Sequence, residues 1–318
     1  MKTALIIALV CLIVGVLIFG IGWGLLQKNP INKNVFKNKV YSFGTNELPN
    51  RSSISTIDSC VEFRTTTESE WRVECMDKEK LYHKVELIDG VLTIKEIDDR
   101  QWYEHIGLFA NLQSKSVIVY LPEGTYGLLD IGVVSGDISV PEGFVFSDVT
   151  LKSTSGDMLF AATATGAMNI KVISGDIAVS GSVGGALEAS ATSGDIALSG
   201  SIGGAIEVFG TSGDIEIKNA SPTSITIQNT SGDIGLIDVV CSEMCAIEKI
   251  SGSIELKRCD AMSFDLKTTS GDIRGSILST KTFDCKTTSG DVRIPADGNG
   301  GNFRAKTTSG DIKITIAE

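Results

Sequence analysis

The sequence predicts an all-β chain: a single-chain parallel β-helix (a β-solenoid) of about ten coils, preceded by an irregular β cap and an N-terminal transmembrane helix. Three observations carry this. Ser-Gly-Asp returns every 19 or 20 residues from Ser135 to Asp311, the short fixed period of a stacked repeat. Within each repeat the apolar residues stand two apart, as in a strand with one buried face, and not three or four apart as in a helix. Residues 3–26 carry no charge, and a stretch of that length spans a bilayer. Ten coils at roughly 4.8 Å per step would stack to about 50 Å.

From the N-terminus, residues 1–27 read as a transmembrane anchor. A cleaved signal peptide would have a shorter apolar core and a small-x-small cleavage site, which this segment lacks. Cys11 raises a lipoprotein cleavage site, but Val10 is the wrong residue before it and the apolar run continues beyond it. Residues 28–45 form a juxtamembrane linker. Its lysines (Lys28, Lys33, Lys37, Lys39) outnumber Lys2, which by the positive-inside rule would leave the following domain in the cytoplasm. A short tail before a long soluble domain is instead the layout of a signal anchor. We therefore expect a single-pass protein of the cell membrane with an extracellular solenoid, its lysines near lipid headgroups.

Residues 46–115 read as the irregular β cap. Strand-like runs stand at 60–64 and 71–75. Asp89-Gly90 between alternating apolar residues is a hairpin signal. Trp102, Tyr103, His105 and Phe109 cluster there as core or capping residues rather than as a sugar-stacking patch. Ser114-Lys115-Ser116 looks like the corner of an opening coil, with Val117 and Val119 following it. Cys60 with Cys75, and Cys241 with Cys259, are two pairs that could bridge.

Residues 116–318 are the solenoid repeat domain. Its corners are Gly136-Asp137, Gly156-Asp157, Gly175-Asp176, Gly194-Asp195, Gly213-Asp214, Gly232-Asp233, Gly271-Asp272, Gly290-Asp291 and Gly310-Asp311, with Gly252-Ser253 the one departure. Glycine supplies a backbone conformation closed to other residues, and Asp bonds nearby turn amides. Apolar columns lie two and four places after each glycine and seven and five places before the next. Cys245 and Cys285 fall in these columns. Val183 and Ile202 hint at a short third wall. A column of aspartates repels itself, so each needs a donor from a turn amide or a hydroxyl. The Thr-Thr-Ser runs before Gly271, Gly290 and Gly310 could supply hydroxyl ladders. A calcium ladder would need several oxygens around each ion, and the nonapeptide calcium repeat is absent.

Among function classes, a net charge of −11 argues against nucleic acid. No cysteine or histidine spacing resembles a zinc site, and no cofactor is implied. Parallel β-helices include polysaccharide-cleaving enzymes, but here the carboxylates recur once per coil, as a structural corner requires and a single active site does not. We therefore expect no catalysis. Basic residues form two columns near the C-terminus: Arg274, Arg293 and Lys313, and Lys267, Lys286 and Lys306. They are either a solvated face neutralising the Asp column or a ligand patch for an anionic polymer.

The charge-free N-terminal segment, Asp89-Gly-Val-Leu-Thr-Ile94, Val117-Ile-Val-Tyr-Leu-Pro122 and the repeated Thr-Ser-Gly-Asp-Ile together resemble the bacterial putative-adhesin β-strand-repeat family, a domain of unknown function. That family is similar to the membrane-anchored component of cell-envelope stress operons. The resemblance covers about residues 80–318. It implies a β-solenoid displayed at the cell envelope, with no catalytic residues and no established ligand. Two functions follow as expectations. One is a surface-displayed binding, adhesion or envelope-stress accessory module whose polar wall meets a cell-wall glycan, an anionic polymer or another protein. The other is a scaffold that self-assembles end to end, because the chain stops within a strand pattern at residues 311–318 and an uncapped coil offers unpaired backbone groups.

Overall fold

A computed structural model describes residues 15, 36–44, 47–68, 70–101 and 115–317. The expected membrane segment with Cys11, and Trp102, Tyr103, His105 and Phe109, lie outside the described residues. Among the described residues no helix is long and apolar enough to cross a membrane. The fold is that of the unit 38–318.

Alternating apolar residues place one strand before each corner and one after it. The leading strands, such as Val149–Ser155, Met168–Ser174, Leu187–Ser193 and Ile206–Ser212, stack in parallel register. The trailing strands, such as Met158–Phe160, Ile177–Val179 and Ile196–Leu198, do the same. The result is two long sheets of 13 and 14 strands facing one core. The columns read from the sequence are its lining: Met168, Leu187, Ile206 and Cys245 are each buried. A short third wall joins them through Gly124–Thr125, Phe144–Phe146 and Thr163–Ala164, and then through single bridges from Ala164 to Val183 and Val183 to Ile202. The hairpin signal also holds. Leu81–Ile88 and Val91–Asp98 pair antiparallel across Asp89 (φ 51°) and Gly90 (φ 75°), the left-handed pair that a two-residue turn needs.

Chain order and stacking order differ at both ends. The strands Arg51–Thr56 and Ser59–Thr65 form a coil of their own. It lies between the coil of Val91–Asp98 and Lys115–Leu121 and the coil of Leu128–Ser135 and Ile138–Val140. Ser59 and Lys115 thus stand in the column that glycine occupies elsewhere, so the corner expected at 114–116 is in register at Lys115 and Ser116. Cys60 takes the place of Asp, its Sγ accepting the Asp137 amide at 3.4 Å. A Cys60–Cys75 bridge does not form. The strand Lys115–Leu121 separates their strands, and the two residues pair with Ser116 and Val117 on it. Cys241 and Cys259 are likewise free, buried thiols. Burial pushes the Cys75 thiol up to about 12 and Cys285 to about 11.

At the other end, the expected uncapped terminal strand is an internal one. Ile312–Ile316 lies between Ile273–Ile277 and Val292–Arg293, and Asn302–Ser309 lies between Ser263–Lys267 and Thr282–Ser289. The coil left at the edge is that of Gly290. Its trailing strand stops after two residues, just before Ile294-Pro295, and Pro cannot extend a ladder. Asp297 Oδ1 accepts the Phe283 amide at 3.0 Å, covering part of the other edge. Lys313 is internal, and Arg293, Pro295 and Asp297 stand at that edge.

Candidate functional site

The corner comes first because it sets the spacing of everything on it. All ten repeat glycines have φ between 104° and 145°. At Gly213 a Cβ would sit 2.1 Å from the Gly194 carbonyl oxygen of the coil below. Corner backbones therefore touch directly, and the aspartates follow in a ladder. The amides of Asp157, Asp176, Asp195, Asp214 and Asp233 each donate to Oδ1 of the preceding aspartate at 2.7 to 2.9 Å. Ser253 donates to Asp233 and closes that run. The ladder resumes in stacking order, Asp311 to Asp272 and Asp291 to Asp311.

The donors are thus turn amides. The threonine hydroxyls expected to serve the aspartates instead donate to corner carbonyls: Thr307 to Gly271 at 3.0 Å and Thr287 to Gly310 at 2.9 Å. Asn229 and Lys249 do the same from the same column. The buried Lys249 ammonium donates to the Gly232 and Ser253 carbonyls, and burial pulls its pKa down. Among the described residues no group of three or more His, Cys, Asp or Glu is placed to hold a metal.

The two basic columns come out as two rows on different sheets, one on each side of the corner. Insertion of the last coil sets their order. On the leading sheet Lys267 pairs with Lys306, and Lys306 with Lys286. On the trailing sheet Arg274 pairs with Lys313, and Lys313 with Arg293. The structure therefore does not bring all six together. Arg274 and Arg293 reach back to the ladder carboxylates Asp272 and Asp291, so the neutralising role describes that row. Lys267 and Lys286 pair with Asp265 at 3.0 Å and Asp284 at 2.8 Å. Lys306 and Lys313 form no ion pair among the described residues, though Lys306 stands near enough to Asp284 to help hold its pKa down.

Lys267, Lys306 and Lys286 line a groove of about 430 Å³ with Thr268, Thr269, Thr287, Thr288, Thr307 and Thr308, where Glu248 is the sole carboxylate. Thr269, Thr308 and Thr288 are exposed and stand beside the lysines in successive coils, about 4.8 Å apart. This is a short array of alternating ammonium and hydroxyl groups with a net positive charge, on a chain whose net charge is −11.

A second cluster was not foreseen. His83 Nδ1 lies 2.7 Å from Asp77 Oδ1, and His83 Nε2 lies 3.2 Å from Ser59 Oγ. Glu96 Oε2 accepts the Ile57 amide at 2.6 Å and the Ser59 hydroxyl at 3.4 Å, while Lys115 pairs with Asp58 and, at 3.4 Å, with Glu96. The Asp-His-Ser order matches a nucleophilic relay, yet Ser59 has no exposed surface and His83 only 1%. What the cluster does is pin the inserted N-terminal coil to the strands on its outer side.

Among solved structures, two are similar to this chain at a low level. One is of a putative adhesin from Bacteroides fragilis, 13% identical over 88% of this chain and 97% of that one, with a TM-score of 0.38. The other is of a putative lipid binding protein from Parabacteroides distasonis, 15% identical over 89% and 98%, with a TM-score of 0.43. Neither likeness bears on what this chain binds. No curated protein matches it. The profile of one family does, over residues 50–239 and again over 205–318, two overlapping stretches that together take in every corner described above. The chain is a member of the Toastrack DUF4097 family.

Proposed function

We propose that this protein is a non-catalytic binding module of the cell envelope. Residues 3–26 anchor it in the membrane, and the solenoid outside presents the lysine–threonine groove to an anionic polymer of the cell wall or a neighbouring surface. The observation that carries this is the row Lys267, Lys306, Lys286 with Thr269, Thr308 and Thr288 in one groove. The Lys267–Asp265 pair is half-buried and the Lys286–Asp284 pair more open, and pairs at the surface contribute only about 0–1 kcal/mol each. An ammonium therefore exchanges a carboxylate for a ligand phosphate or carboxylate at little cost. The hydroxyls donate to the same oxygens, and the fixed coil spacing suits a repeating ligand. An envelope-stress accessory role is compatible with this surface. An end-to-end scaffold is less so, because the terminal strand that suggested it is internal.

The test is retention of the full chain on inorganic polyphosphate, with an uncharged glycan as control. Wild type should bind polyphosphate and release it as salt screens the charges. K267Q/K286Q/K306Q should weaken binding about tenfold or more, from roughly 0.5–1 kcal/mol per lost exposed pair. Equal retention of wild type and variant would remove the groove from the account.

A further inference from the structure

Two arrays of opposite charge share the repeat of this chain. One is the run of ladder carboxylates Asp137, Asp157, Asp176, Asp195, Asp214 and Asp233, all exposed. Each gives its Oδ1 to the amide of the following coil, which leaves Oδ2 to another donor. The other is the groove row Lys267, Lys306 and Lys286, with threonine hydroxyls beside it. Both arrays advance by one coil, about 4.8 Å. Their charges are therefore matched in spacing at every shift by a whole coil.

Within one chain the two arrays do not meet, because they lie on different coils. The six carboxylates form no ion pair among the described residues, whereas Asp272 and Asp291 on the basic coils are covered by Arg274 and Arg293. Lys249 lies near Asp214 and Asp233, yet its ammonium donates to the Gly232 and Ser253 carbonyls. The acidic array is densest where Asp195, Asp214 and Asp233 share a groove of about 430 Å³ with Glu216 and Glu255, and no cation among the described residues lines it. Glu216 alone of these pairs with a lysine, the exposed Lys218.

We propose that the acidic ladder of one copy docks in the lysine groove of a second copy, with Asp195, Asp214 and Asp233 the favoured run. The inference rests on the groove being an anion site, and it names a partner that competes there with the polymer. Opposed potentials bring the surfaces together and fix their register. The two surfaces differ, so the contact is heterologous, and a copy bound through its groove still offers its ladder to the next. Exposed ion pairs are individually weak, so dilute protein is monomeric and crowded protein associates. An anionic polymer then disperses the copies by taking the groove.

Sedimentation of the full chain in an uncharged detergent, at low salt with a chelator present, tests this. Wild type should form species that grow beyond a dimer with concentration and that salt or inorganic polyphosphate disperses. K267Q/K286Q/K306Q and D137N/D157N/D176N/D195N/D214N/D233N should each associate about tenfold more weakly or less. Asn keeps a side-chain carbonyl for the ladder amide, and its lower net charge would by itself favour association. Mixed, the two variants should form a one-to-one complex and nothing larger, because each supplies the surface the other lacks. Wild type that stays monomeric while retaining polyphosphate overturns this inference and leaves the groove's proposed ligand in place. A mixture that fails to pair, or association that polyphosphate does not disperse, also overturns it. Should the aspartate variant fail to fold, judged by circular dichroism, K152Q/K171Q/K313Q serves as the charge control. Association kept there and lost in K267Q/K286Q/K306Q supports the pairing, and equal behaviour of the two overturns it.

Discussion

At the scale of single residues, the corner glycine is the most constrained position. Gly213 has φ 130°, and a Cβ there would meet the Gly194 carbonyl. Gly213→Val should destabilise the fold by about 3 kcal/mol, combining an unfavourable backbone region with overpacking. Thermal melting of the variant checks this, and an unchanged midpoint would mean that corner contact contributes little. The corners were fully legible in the sequence because one glycine every 19 or 20 residues has no other explanation. The buried polar cluster was legible in principle. Asp77 is in phase with Trp71, Val73 and Cys75, and Glu96 with Leu92 and Ile94, so both carboxylates had to point inward. Alternation reveals that a charge is buried. It does not reveal the partner, since Ser59, His83 and Lys115 come from three other strands.

At the scale of elements, coil order is what a repeat conceals. Every coil presents the same columns, so the sequence gives the register of a coil but not its neighbours. The two inserted coils were therefore missed, and with them the register that sets Arg304 between Asp265 and Asp284, 3.7 Å from the latter. The columns of the lysine patch were read correctly, while their order and their separation from the Arg274 row came from the fold. The pin on the N-terminal coil predicts a pH dependence. Burial opposes ionisation of Asp58, but the hydrogen bond from Lys115 and the nearby Lys115 and Arg100 charges outweigh it, holding its pKa below the ordinary 3.8. A depressed carboxylate contributes stability that is present above its unfolded pKa and lost as pH falls through its folded one. Asp58→Asn should therefore melt below wild type at neutral pH, and the gap should close under acid conditions below 3.8. A gap independent of pH would assign the loss to packing.

At the scale of the whole molecule, a polar wall of fixed spacing carries charge of opposite sign along its length. The ladder carboxylates from Asp137 to Asp233 form no ion pair among the described residues, the ammonium of Lys249 lying near Asp214 and Asp233, while the C-terminal coils carry the lysine and arginine rows on either side of the corner. Under the proposed function, this asymmetry would steer an anionic ligand to one end and, by the groove, to one of two basic rows. Lysine protection measures that choice most directly. The full chain is acetylated with and without inorganic polyphosphate, and modification is quantified peptide by peptide. Lys267, Lys286 and Lys306 should be shielded by the polymer, with Lys313, Lys152 and Lys171 modified as before. Uniform shielding, or shielding of Lys313 in place of the groove lysines, would contradict the assignment of this groove as the binding site.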